Sequence, residues 1–258
     1  MKTILSIALE ASEAILDIYR NNETHINYKA DDSPLTQADR NAHKIIHRRL
    51  KENYPEIPVL SEEGNIPHYD ERKKWDEFWL VDPLDGTKEF IKRSGEFTVN
   101  IALIRQGKPV SGIVHVPTQG LSYFAENQKA YMLKGDDISR KEPIKTRKTN
   151  TEHLIIAGSR DHAGPGLEAL LDKNPQATLK SMGSSLKFCL VAMGEADIYY
   201  RDLPTMEWDT AAAQAVVEAA GGIVMDESGQ PLTYNKESVK NPYFIALGDK
   251  NFDWKKIF

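Results

Sequence analysis

Trp79-Leu80-Val81-Asp82-Pro83-Leu84-Asp85-Gly86-Thr87-Lys88-Glu89-Phe90 is an apolar run that stops abruptly on two carboxylates three residues apart. Phe78 to Val81 has the aromatic and aliphatic composition of a short buried strand, so Asp82 and Asp85 are expected at its carboxyl end and in the turn beyond. Open α/β sheets gather their ligands at that end of the strands. Pro83 fixes one φ angle between the acids and Gly86 permits close backbone approach, which suits a rigid turn aiming both carboxylates at one point. Two anions aimed together call for a cation. Thr87 onward reads as a helix start whose free N–H groups would receive a phosphate oxygen beside the acids. A metal site adjoining an anion cradle is the first hypothesis.

Upstream, Pro58-Val-Leu-Ser61-Glu62-Glu63-Gly64 repeats the pattern of an apolar strand ending on acids before a glycine. One reading is a solvated acidic loop; the other is a metal site shared between two strand ends. Ser33-Pro-Leu-Thr36-Gln-Ala-Asp39 opens a helix over about 36–53. Thr36 and Asp39 match a capping box, and a carboxylate there is equally well placed to steer a metal-bound water.

Downstream, Gly183-Ser184-Ser185-Leu-Lys187 is a turn that opens a helix, either as an ordinary cap or as hydroxyls, N–H groups and a lysine offered to an anion. Ala196-Asp-Ile-Tyr-Tyr-Arg201 is a strand ending in a residue suited to stacking on a base or forking a phosphate. Asp209 stands at the start of a small-residue helix, Ala211 to Ala220, stopped by Gly221-Gly222. A plain helix cap accounts for it as well as a metal ligand does.

The chain of 258 residues can bury a large core as one domain or two closely packed halves. A net charge of −5 argues against the basic surface of a nucleic-acid-binding protein. One cysteine, Cys189, excludes an intrachain disulfide framework and a cysteine-based zinc site, and its apolar neighbours make it a core residue. No run approaches the ~18 apolar residues of a membrane span, and Glu10 and Glu13 interrupt the first helix, residues 2–20, too early for a signal peptide. A cytoplasmic chain without a transmembrane segment is expected.

Phe97 to Leu133 is rich in β-formers with turns at Gly107-Lys108 and Thr118-Gln-Gly120, which predicts an antiparallel meander in which His115 is structural. After the polar stretch 134–152, strands and helices alternate up to a last strand, Tyr243 to Leu247. An α/β protein follows, with an α+β amino-terminal half over 1–135 and an α/β carboxyl-terminal half over 136–258, the site at their junction.

Asp82-Pro-Leu-Asp85-Gly-Thr87, preceded by Glu62 and followed by Trp208-Asp209-Thr-Ala-Ala and Gly221-Gly222, resembles the inositol monophosphatase superfamily of magnesium-dependent, lithium-sensitive phosphatases. Val59-Leu-Ser-Glu-Glu63, Gly95-Glu-Phe-Thr-Val-Asn-Ile-Ala-Leu103 and Gly183-Ser-Ser-Leu-Lys-Phe-Cys-Leu190 resemble its branch of bacterial 3′(2′),5′-bisphosphate nucleotidases, of the CysQ type, which serve sulfur metabolism. The resemblance implies a layered αβαβα sandwich of the inositol monophosphatase and fructose-1,6-bisphosphatase type. It implies Glu62, Asp82 and the Leu84 carbonyl on one Mg²⁺, Asp82, Asp85 and Asp209 on a second, and a weaker third ion near Asp39 and Glu62.

By the same likeness, Asp39, Thr87 and Glu62 would activate the attacking water, and Gly86 and Thr87 N–H groups would hold the phosphate. His162, Gly183, Ser184, Lys187, Arg201 and Asp209 would hold the nucleotide. Two departures stand out: Glu207 takes the place where many relatives carry an apolar residue, and the Arg201-to-Asp209 segment varies in length across the family. The implied reaction is hydrolysis of the 3′-phosphate of adenosine 3′,5′-bisphosphate, and of its sulfated relative. Residue chemistry alone stops at a metal-dependent phosphomonoesterase, leaving a sugar-phosphate phosphatase, or more remotely a non-catalytic regulator, as alternatives. The resemblance also admits peripheral attachment at the cytoplasmic face of the inner membrane, and no motif assigns an oligomeric state.

Overall fold

The computed structural model describes residues 1–21, 26–28, 34–159 and 164–258. Ile4, Leu5, Ala8, Ala11 and Ile15 recur at helical spacing and become the buried stripe of α1 (Lys2–Asn21). A short antiparallel pair, β1 (Ile26–Tyr28) and β2 (Pro34–Thr36), leads to α2 (Gln37–Asn53), which buries Ala42, Ile46 and Leu50 in the same core cluster.

Next come β3 (Val59–Ser61), α3 (Tyr69–Arg72), β4 (Glu77–Asp85), α4 (Thr87–Ile91), β5 (Thr98–Arg105), β6 (Lys108–Val116), β7 (Leu121–Glu126), β8 (Lys129–Lys134) and β9 (Glu142–Ile144). These strands form a seven-stranded sheet in simple sequence order. The expected meander is present, and the sheet continues through Glu142–Ile144, beyond residue 135. Only β3 and β4 run parallel, so the acids of β4 lie in a largely antiparallel sheet and not in the open parallel sheet their pattern first suggests.

The remainder consists of β10 (Ile155–Gly158), α5 (Pro165–Lys173), β11 (Thr178–Ser181), α6 (Leu186–Ala192), β12 (Ile198–Arg201), α7 (Glu207–Ala219), β13 (Ile223–Asp226) and β14 (Phe244–Leu247). They form a five-stranded sheet in the order β11-β10-β12-β14-β13, parallel on one side of β12 and antiparallel on the other. The four-residue β13 is too short for periodicity to single it out. Among the described residues no helix is long and apolar enough to cross a membrane.

Three core clusters stack these elements into five layers, αβαβα. Val81, Val99 and Ile101 of the larger sheet pack on α1 and α2. Its other face, with Phe78, Leu80 and Ala102, meets α6 and α7, which also cover Ala157, Tyr199 and Ala246 of the smaller sheet. Ile156, Ile198 and Ile245 face outward to α5 and the carboxyl-terminal segment. α7 approaches the larger sheet so closely that a Cβ on Gly112 would lie 2.7 Å from the Ala212 carbonyl. Its alanines therefore answer a steric demand of the middle layer.

The alternation along β4 decides where the acids point. Phe78 and Leu80 face α6 and α7, and Asp82 continues that parity. A residue three further on would face α1 and α2. Asp82 pairs with Asn100 and Asp85 with Thr98, so β4 inserts one extra residue against β5 between the acids. This bulge, at a proline that has no N–H for the ladder, turns Leu84 into the core with α1 and α2 and returns Asp85 to the face of Asp82. Pro83 thus lies within a bulged strand, a correction to the expected turn.

Glu207 begins α7 and is completely buried. It accepts hydrogen bonds from the Asn235 and Lys236 N–H groups at 2.8 and 3.0 Å and from Lys236 Nζ at 2.6 Å. This side chain therefore anchors the 235–236 loop to the helix start. Removing it leaves the two part-buried N–H donors without this acceptor. Glu207→Ala should lower the free energy of unfolding by about 3 kcal/mol in chemical denaturation, whereas Lys236→Met, at a partly exposed partner that leaves both N–H bonds intact, should cost less.

Candidate active site

Parallel pairing of β3 with β4 sets Ser61 opposite Val81, and the Glu62 N–H donates to the Val81 carbonyl at 3.1 Å. Glu62 thereby comes alongside Asp82, within hydrogen-bonding range of its carboxyl group. Asp85 joins them through the bulge, and Asp209 arrives from α7. Asp209 is the third residue of that helix and not its cap: its Oδ2 accepts from the Met206 N–H at 2.8 Å.

Asp82 is 1% exposed, and its Oδ1 accepts from the Leu84 N–H inside the bulge at 3.0 Å. Burial, reinforced by the charges of Glu62, Asp85 and Asp209, pushes its carboxyl well above the ordinary carboxylate range. Asp209 moves the same way, first through burial and then through Asp85 and Glu62, against the opposing Met206 N–H. These carboxylates raise one another's proton affinity, and the Arg201 charge offsets this only in part at Asp209.

That environment fits a hard divalent cation. The donors are carboxylate oxygens with neither histidine nor thiolate, and the Leu84 carbonyl lies in the bulge without a ladder partner on β5. Among the described residues no three or more His, Cys, Asp or Glu side chains converge as a complete metal-holding group. The open cluster suits Mg²⁺, which takes few protein ligands and keeps waters.

Asp39 caps the helix with one oxygen and meets Thr87 with the other. Its Oδ2 accepts from the Thr36 N–H at 2.7 Å and the Thr36 hydroxyl at 2.5 Å, completing the capping box. Its Oδ1 accepts from the Thr87 hydroxyl at 3.1 Å, on the site side. Burial raises the Asp39 pKa, opposed by the Thr36 hydrogen bonds. Gly86, at φ 93°, precedes α4 in the left-handed region open to glycine.

A cavity of about 200 Å³ adjoins the acids, lined by Asp85, Gly86 and Asp209 together with Lys187, Tyr199 and Arg201. Lys187 Nζ donates to the Ser184 and Met182 carbonyls at 2.6 and 3.1 Å. Burial, with Arg201 adding to it and Asp85 opposing, brings the Lys187 pKa down to about 8. Arg201 Nε is buried without a hydrogen-bond partner among the described residues, a donor free for an anion. His162 lies outside the described residues.

The Gly183–Ser185 turn does not cap α6 with a side chain. Ser184, at φ 51°, donates its hydroxyl to Asp85 Oδ2 at 2.6 Å, and the Gly183 N–H donates to Glu96 at 2.8 Å. Thr98 and Asn100, absent from the sequence-level site, are fully buried behind this turn. Their signal is polar residues at a period of two inside the apolar strand Phe97-Thr-Val-Asn-Ile-Ala. His115, bonded to the Ser122 hydroxyl at 2.8 Å, and buried Cys189 are structural, as expected.

Residues 1–243 match the model of the inositol monophosphatase family. The chain is 45% identical over 243 residues to the 3′(2′),5′-bisphosphate nucleotidase CysQ of Escherichia coli (strain K12), covering 93% of this chain and 96% of that protein. The crystal structure of CysQ from Bacteroides thetaiotaomicron superposes with a TM-score of 0.84 at 45% identity, covering 95% of each chain. The extragenic suppressor protein SuhB of Bartonella henselae follows with a TM-score of 0.79 at 27% identity, covering 97% of this chain and 94% of that one. Motifs, layered fold and relatives agree: the chain belongs to the inositol monophosphatase family, on its CysQ-type branch.

Proposed function

We propose that this protein is a Mg²⁺-dependent 3′(2′),5′-bisphosphate nucleotidase that converts adenosine 3′,5′-bisphosphate to AMP and phosphate and also removes the 3′-phosphate of the sulfated relative. The observation that carries this reading is the cluster of buried Asp82 with half-buried Glu62, Asp85 and Asp209, next to a cavity that Lys187 and Arg201 also line. The relatives named nucleotidases support the substrate class. The family is generally metal-dependent, usually on Mg²⁺.

In this reading Glu62, Asp82 and the Leu84 carbonyl would hold one ion, Asp82, Asp85 and Asp209 would hold a second, and Asp39 and Glu62 would lie near a third. When bound, Mg²⁺ supplies charge neutralisation, Lewis acidity and an acidified water for in-line displacement. Thr87 and Asp39 guide the proton: as water attacks phosphorus, Thr87 Oγ takes its proton while passing its own to Asp39 Oδ1, along the hydrogen bond already formed. The P–O bond to the ribose breaks, and the leaving oxygen is protonated by solvent. Gly86 and Thr87 N–H groups hold the transferred phosphate, and His162, Gly183, Ser184, Lys187, Arg201 and Asp209 hold the nucleotide and its 5′-phosphate. Residues 1–135 serve as the metal-binding half and 136–258 as the nucleotide-binding half.

Phosphate release in Mg²⁺ tests the assignment directly. Adenosine 3′,5′-bisphosphate should be turned over faster than inositol 1-phosphate, and Asp82→Asn should lower the rate by about 10³-fold or more. Greater activity on inositol 1-phosphate would overturn the substrate, and a wild-type rate equal to that of Asp82→Asn would overturn catalysis.

The Lys187 pKa of about 8 gives a signed pH dependence. As pH rises from 7 to 9 the lysine loses its charge, so KM for the bisphosphate should rise while KM for a small generic phosphoester stays flat. Lys187→Ala should raise the bisphosphate KM by about 10- to 100-fold at pH 7, the worth of a charged hydrogen bond, and abolish that pH difference.

Asp82 and Asp209 have folded pKa values above their unfolded ones, so in the metal-free protein their charged forms weaken the folded state at neutral pH, and this penalty is relieved as pH falls through the folded values. Mg²⁺ relieves the same repulsion but must compete with protons at low pH. The Mg²⁺-induced rise in melting temperature should therefore be larger at pH 8 than at pH 5, measured by calorimetry.

A further inference from the structure

Asp85 binds the two halves of the molecule through one oxygen. Its Oδ2 accepts from the Ser184 hydroxyl at 2.6 Å, the Ser185 N–H at 2.7 Å and the Ser185 hydroxyl at 2.6 Å. Three donors nearly saturate that oxygen and fix the rotation of the carboxylate, leaving Oδ1 as the oxygen not engaged by these bonds. The Ser185 hydroxyl also lies 2.9 Å from the Asp209 carbonyl. One buried hydroxyl therefore touches both residues that would share the second ion.

The proton positions in this cluster follow from the acceptors. A carboxylate only accepts, so the single Ser185 hydroxyl proton goes to Asp85, the nearer and charged partner, rather than to the Asp209 carbonyl. Ser185 Oγ in turn receives Asn100 Nδ2 at 2.9 Å, and the same nitrogen lies 3.4 Å from Asp85 Oδ2. This assigns the orientation of the Asn100 amide, whose Oδ1 faces the Thr98 hydroxyl at 3.0 Å. Thr98 also lies 2.8 Å from the Ser184 hydroxyl. Thr98 and Asn100 share the β5 face that the bulge gives to Asp82 and Asp85, and both are buried.

We propose that Ser185, oriented by Asn100 and supported by Thr98, is a positioning residue that holds Asp85 with one oxygen presented to the ion. The proposal rests on the metal-binding role assigned above to Asp85. Ser185 does not touch the substrate in this role; it acts through Asp85. An outer-shell donor of this kind governs metal affinity as well as turnover.

Isothermal titration of the substrate-free protein with Mg²⁺ tests this, with melting temperatures recorded in EDTA and in Mg²⁺. Ser185→Ala and Asn100→Ala should each raise the Mg²⁺ dissociation constant about tenfold or more. The double variant should be no weaker than the weaker single one, because both act through one hydrogen-bond chain. Thr98→Val, which keeps the side-chain volume, should fall between wild type and these variants. If Asn100→Ala does not fold, Ser185→Ala, which deletes a single atom, decides.

A lower melting temperature in EDTA and Mg²⁺ alike, with a wild-type dissociation constant, would mark a purely structural role and overturn the proposal. Asp85→Asn separates the two levels. If it binds Mg²⁺ as wild type does, the metal site itself is misassigned and the proposal falls with it. If it binds weakly while Ser185→Ala binds normally, the site stands and the positioning role is refuted.

Discussion

Mutual repulsion among clustered carboxylates, one of them fully buried, is the constraint around which this protein is arranged. Burying an ion without a partner is unfavourable, and burying several together compounds the penalty. Asp82 and Asp209 each respond by holding protons more tightly, through burial and through one another's neighbours. A core serving stability alone would place apolar residues there. The surrounding structure instead holds the acids where they would otherwise separate.

The restraint is built at several levels. Within β4, one inserted residue reverses the parity of the strand and brings Asp85 back to the face of Asp82. Between the halves, Asp85 is tied to the Gly183–Ser185 turn, and Glu96 ties the turn's N–H back to the first half. Behind α7, buried Glu207 locks the helix start to the 235–236 loop, so that Asp209 is delivered from the far side. Crowding at the turn reinforces this, since a Cβ on Gly183 would lie 2.9 Å from the Glu96 carbonyl. Each contact crosses between elements distant in sequence, so the site forms only when the larger sheet and the middle helical layer have docked.

Much of the fold was legible because the layers impose simple periods. α1 and α2 follow from apolar residues at helical spacing, and the meander from alternating strands with turn signals between them. Asp82, Asp85 and Glu62 announced themselves as acids ending apolar runs, and Asp209 as an acid opening a small-residue helix. Thr98 and Asn100 were less visible, since one strand does not say which buried polar residues face a partner. The departure at Glu207 was visible as an anomaly, and its explanation lay in a loop almost thirty residues further along the chain.

The sequence by itself determined the long helices, the meander and the family, and it marked out the acids, because these reside in local pattern and residue chemistry. Tertiary structure alone decided that Pro83 lies in a bulge rather than a turn, that Asp39 divides its two oxygens between helix cap and Thr87, and that Ser185 touches both Asp85 and Asp209. Those facts depend on strand register and on the approach of α7 to β5. Register and approach are set by packing summed over many residues, and no short window of sequence contains that sum.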